Sequence, residues 1–133
     1  MSFTTCLVVM AGGAIGTLFR YVISFLAIPI SGDLPWGTII INISGSFLIV
    51  FFGTLATQQG SLSVSPGIRT FVMVGFCGGY TTVSSFALQT LNLARDAERL
   101  WAGANVLISV LFCLSAAWLG FAAGMAINHA GSG

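Results

Sequence analysis

Two asparagines, Asn42 and Asn105, lie inside long apolar runs, and each belongs to a stripe of small polar side chains. Thr38, Asn42 and Ser46 fall at i, i+4 and i+8, and Asn105, Ser109 and Cys113 repeat that spacing. On a helix such residues share one face. An amide in hydrocarbon is costly and faces either a neighbouring helix or a watery cavity. The stripes therefore admit two roles: hydrogen-bonded glue between helices, or the two walls of a shared polar path. A third segment reads Gly75-Phe76-Cys77-Gly78-Gly79-Tyr80-Thr81-Thr82-Val83-Ser84-Ser85-Phe86. Adjacent glycines, each costing a helix about 1 kcal/mol, precede β-branched threonines that do not repair the loss. This predicts a helix interruption at mid-span. Unwound backbone at that depth survives only when buried in protein or lining a cavity. Its freed carbonyls can hold a cation, and its freed N–H groups can face an anion.

Other chemistries lack their residues. The carboxylates are Asp33, Asp96 and Glu98, all in polar breaks, and the only histidine is His129 in the C-terminal tail. No metal-ligand spacing, nucleophile–base pair or lysine-bearing phosphate loop is present, so no enzyme is expected. Cys6, Cys77 and Cys113 are odd in number and sit in or beside apolar segments. That pattern predicts free thiols rather than a disulfide framework.

The elements that must position these residues follow from composition. Of 133 residues, 56% are hydrophobic and only 5% charged, with four arginines and no lysine. Soluble domains carry roughly 25% charge, and a chain this short cannot enclose so much apolar surface within a polar shell. Lipid is the solvent that fits. A span needs about 20 apolar residues, and four runs meet this, predicting helices at 4–27, 36–57, 67–93 and 101–127. Between them lie the turn Ile28–Asp33, the loop Gln58–Gly67 with its Ser65-Pro66 helix start, and the charged connection Arg95–Arg99. The expected fold is all-α and integral to the membrane, one four-helix domain over 1–133 with its third helix interrupted. The first segment has no basic leader and is too long for a signal-peptide core, so it is expected to remain. Gly12 and Gly16, and Gly37, Gly45 and Gly53, mark faces for close helix packing.

Arginine placement is nearly balanced. With four spans, Arg69 lies at the boundary shared by both termini, while Arg95 and Arg99, with Arg20 toward them, lie at the other. Positive residues normally gather on the cytoplasmic side. The balance fits either a weakly biased single orientation or insertion both ways with antiparallel self-pairing.

The segments Gly12–Tyr21, Pro35-Trp36-Gly37-Thr38 with Asn42–Phe47, Gly75–Phe86 and the polar helix after Asn105 together resemble the Fluc (CrcB) family of fluoride channels. The likeness covers nearly the whole chain. It implies a passive, fluoride-selective channel in a bacterial plasma (inner) membrane that lets cytoplasmic fluoride escape. It implies an antiparallel, dual-topology homodimer with two pores, its partners being fluoride, lipid and a second copy of itself, and no nucleic acid. It also implies a structural sodium ion at the dimer centre, held by backbone carbonyls that here belong to Gly78 and Thr81. Asn42, with Thr38 beside it, would border the fluoride path. Ser109, flanked by Asn105 and Cys113, would continue it, and Arg20 would stand at a vestibule. The family's motif usually has phenylalanines at the positions of Val83 and Phe86. Aromatic ring edges carry partial positive charge that suits an anion, and Val83 lacks them. This departure fits a natural variant, an engineered chain or one half of a heterodimer with a paired homologue. The rival is a proton-coupled drug exporter resembling the small multidrug-resistance transporters, whose coupling needs a carboxylate within the membrane; no expected span contains one. A purely structural or assembly subunit is the third alternative.

Overall fold

The computed structural model describes residues 2–57 and 62–131, so part of the expected 58–67 loop lies outside the described residues. Helix α1 spans Phe3–Leu26, and Ser2 caps it by accepting the Thr5 N–H at 3.2 Å. A 3-10 turn, Ile28–Ile30, carries Pro29 in its first positions and leads into α2, Trp36–Leu55. Helix α3 covers residues 66–80. It starts where the Ser-Pro pair predicts, with Ser65 Oγ accepting the Ile68 N–H and Pro66 at a position that needs no donor. Its middle, Phe71–Cys77, widens into a π-helix, and its last turn is Gly78–Tyr80. Thr81 and Thr82 are extended, with ψ of 159° and 107°. Helix α4, Val83–Arg95, then continues the span. Ala97, at φ 63°, turns the chain into α5, Arg99–Gly131. No strand occurs among the described residues.

Four segments are long and apolar enough to cross a membrane: Phe3–Leu26, Trp36–Leu55, Pro66–Arg95 and Arg99–Gly131. They overlay the expected 4–27, 36–57, 67–93 and 101–127 to within a few residues. The chain is a multi-pass membrane protein. Its outward faces carry Leu100, Phe112, Trp118 and Phe121 exposed, which lipid tolerates and water would not.

Lipid gives no hydrophobic drive for helices to associate, so close packing and polar contacts must hold the bundle. Helix α1 crosses α3 almost backbone to backbone. A Cβ on Gly12 would lie 2.6 Å from the Phe71 carbonyl oxygen, and one on Gly79 would lie 2.5 Å from that of Gly13. Helices α2 and α5 meet in the same manner, through Gly120 against Phe47 and Gly124 against Thr54. Ile39, Ile41, Cys77 and Asn105 are the largest side chains fully enclosed. The three cysteines are free, as their spacing predicts.

Candidate functional site

The site is built on the break between α3 and α4. Asn42, reaching across from α2, holds it with both ends of its amide: Oδ1 accepts the Thr82 N–H at 2.8 Å, and Nδ2 donates to the Thr82 carbonyl at 3.0 Å. One side chain thus satisfies both backbone groups of an extended, buried residue. The clamp changes its neighbours. In a continuous helix the Gly78 carbonyl would accept the Thr82 N–H, and the Thr81 carbonyl the Ser85 N–H. The first donor goes to Asn42. The second is taken by Thr82 Oγ1 at 3.2 Å, which makes Thr82 the N-cap of α4. The carbonyls of Gly78 and Thr81 are therefore released from the helical ladder. Helix α4 in turn begins at membrane depth, with its first N–H groups outside the ladder and the positive end of its dipole exposed there.

Further contacts fix the break. Tyr80 is buried, and its hydroxyl lies 2.7 Å from Ser44 Oγ on α2. Gly45 lies beneath, where any Cβ would collide with Thr81 Cγ2 and crowd the Tyr80 ring. The Thr81 hydroxyl donates to Cys77 O at 3.0 Å. The π-helical turns immediately precede this segment, a position where such widening commonly marks a functional site.

A cleft of about 460 Å³ opens beside the break. Asn42, Gly45, Ser46 and Ile49 form its α2 wall, and Cys77 and Gly78 of α3 with Thr81 of the break form the facing wall. Val83 and Phe86 line it from α4; Ser109, Val110 and Cys113 line it from α5. The structure thus gathers Asn42, Gly78, Thr81, Val83, Phe86 and Ser109 around one space, with no formal charge on its wall. Two expected residues lie elsewhere. Thr38 is buried one turn away on α2, outside the lining, and Arg20 on α1 does not reach the cleft.

The hydroxyls on the wall are not equally available. Ser46 Oγ donates to Asn42 O at 2.7 Å, and Thr81 Oγ1 is engaged as above. The second N–H of Asn42 has no protein partner among the described residues. The hydrogen bond from Ser109 Oγ to Asn105 Oδ1 is long, at 3.4 Å. These two groups are the side-chain donors most open to a guest. Asn105 itself is fully buried outside the lining, and its Nδ2 donates to Thr90 Oγ1 at 2.8 Å. The Thr90 hydroxyl in turn donates a hydrogen bond to Phe86 O at 2.8 Å. This chain joins α5 to α4 directly behind the Phe86 backbone.

Sequence reasoning places the break but misses its clamp, the Ser44–Tyr80 pair and the role of Thr90. The clamp joins residues forty positions apart, and no local pattern encodes that pairing.

The family model described as "CrcB-like protein, Camphor Resistance (CrcB)" matches residues 7–121. The chain is 60% identical over 120 residues to a "Fluoride-specific ion channel FluC" of Methylobacterium radiotolerans, covering 90% of this chain and 84% of that one. It is 58% identical to the protein of the same name from Gluconobacter oxydans, with the same coverage. With that of Methylocella silvestris it shares 52% identity, over 91% of this chain and 93% of the other.

Proposed function

The chain belongs to the CrcB-like protein family, and on that premise we propose that it forms a fluoride-selective, passive channel that releases cytoplasmic fluoride across a bacterial inner membrane. The observation that carries this reading is the uncharged cleft beside a clamped helix break. Fluoride is small and holds its water tightly, so a path must replace that water with many weak donors. A buried full countercharge would bind it too strongly, and conduction requires sites an ion can leave. The cleft offers the free amide N–H of Asn42, the Ser109 hydroxyl, the edge of the Phe86 ring and the positive end of α4. Val83 contributes only methyl groups, so the aromatic share is smaller than in the usual pattern.

The pore is completed by a second, antiparallel copy. Val83 is 76% exposed in the single chain although it borders the cleft, so the wall is open on that side. On a two-fold axis the Gly78 and Thr81 carbonyls would be presented twice, and their release from the helical ladder fits them to a monovalent cation. Bound sodium would supply a fixed positive centre that ties two breaks together without any side-chain charge. An exporter coupled through an intramembrane carboxylate is disfavoured, because Asp33, Asp96 and Glu98 all lie between helices.

Vesicles containing the purified protein test this reading. Fluoride should leave rapidly down its gradient while chloride is retained; chloride release at a comparable rate, or no release of either, would refute it. Orientation is tested separately with a Ser63→Cys protein in intact cells. Labelling from both sides supports dual insertion, and labelling from one side only rules it out.

A further inference from the structure

The central cleft does not end at the break. A second groove, of about 490 Å³, begins at Ile49, which also lines the first, and follows α2 past Gly53 and Thr54 to Thr57. Arg69, at the start of α3, closes its far end. We propose that Arg69 is the anion-recruiting group at the mouth of the fluoride path, drawing fluoride into this groove and so toward Asn42. The inference rests on the channel reading and adds to it an entry residue that neither the stripes nor the break point to.

The groove wall makes the case. Its two hydroxyls are engaged with backbone: Thr54 Oγ1 donates to Val50 O at 2.8 Å, and Thr57 Oγ1 to Thr54 O at 3.2 Å. The rest of the wall is largely apolar, with Met73, Phe121 and Met125. An anion entering here therefore has one strong source of attraction, the guanidinium. No carboxylate lines the groove. The three carboxylates of the chain stand at the opposite ends of the helices, beside Arg95 and Arg99. With Arg20 toward it, that boundary holds three positive and three negative side chains, a net of zero, whereas no Asp or Glu stands at the Arg69 boundary to offset its charge. The field over the molecule thus favours anion entry at the Arg69 end, and a low-dielectric groove focuses it. Arg20, expected at a vestibule, is absent from both cleft and groove. In an antiparallel dimer each membrane face would carry one such mouth.

Charge recruitment has a signature that a structural role lacks: it is screened by salt. The Debye length shrinks from about 30 Å at 0.01 M to about 3 Å at 1 M ionic strength. Fluoride efflux is measured from vesicles of neutral lipid holding the parent, Arg69→Gln or Arg69→Lys protein, with and without an impermeant salt. Arg69 is exposed, so glutamine there carries little risk to folding. The Gln variant should be about threefold slower at low ionic strength and match the parent at high, while the Lys variant stays near the parent throughout. Equal rates at low salt, or a deficit that salt leaves unchanged, would overturn the proposal. A deficit confined to vesicles with anionic lipid would also overturn it, assigning Arg69 to a phospholipid headgroup. A parent protein that releases no fluoride would instead refute the channel reading and this inference with it.

Discussion

Asn42 and Asn105 present the same signal in sequence and do different work in the fold. Each sits in an apolar helix, and each is followed four residues later by a serine. Asn42 hydrogen-bonds to backbone, on both sides of Thr82, and borders the cleft. Asn105 hydrogen-bonds to side chains, Thr90 and Ser109, and is wholly enclosed. What separates path from glue is therefore the partner rather than the spacing. A side chain that replaces missing helical bonds creates a break and the free groups that come with it. A side chain that meets another side chain only fastens two intact helices.

Substitutions can break this contrast. The largest effect is expected for Asn42→Asp. Aspartate cannot donate to Thr82 O, and a fixed negative charge in a low-dielectric path repels an anion. Fluoride efflux from vesicles should fall to background, and parent-like release with chloride still excluded would place the path elsewhere. Asn105→Ala comes second. It removes hydrogen bonds of a kind worth about 1 kcal/mol within membranes. The midpoint of thermal unfolding in detergent should drop by a few degrees, with flux retained; flux at background would make Asn105 part of the path. Val83→Phe restores a ring edge beside the cleft, and the exposure of Val83 leaves room for it. Flux should rise or stay level, and a collapse would mean that this wall has no space on the partner side. Thr90→Ser is the mildest, since it keeps the hydroxyl that accepts from Asn105 and donates to the Phe86 carbonyl. Stability should change by less than about 1 kcal/mol, read from the same melting curves.

The spans were legible because lipid imposes one rule on all of them, a run of about 20 apolar residues. The start of α3 was legible because Ser65-Pro66 is local capping chemistry. The break was legible within residues 75–86, from glycines followed by threonines, but not which of those residues unwind. Gly78 and Gly79 remain helical, and the extended residues are Thr81 and Thr82. Gly79 serves close approach instead, lying against Gly13, whereas a Cβ on Gly78 would meet nothing within 4 Å. Thr38 shares the Asn42 face yet stays outside the cleft lining, because a face is wider than a site. The Asn42–Thr82 clamp depends on how α2 docks against the third span, and the π-helical Phe71–Cys77 packs on α1 at Gly12; no local pattern encodes either.

The most direct measurement compares Asn42→Ala with Asn105→Ala for fluoride efflux in the same vesicle preparation. Loss of the clamp removes two buried hydrogen bonds, at about 1–3 kcal/mol for each group left unsatisfied, and tenfold in rate corresponds to about 1.4 kcal/mol. The account predicts that Asn42→Ala loses at least about tenfold in flux while Asn105→Ala stays close to the parent. Equal losses in the two proteins, or a larger loss from Asn105→Ala, would contradict it.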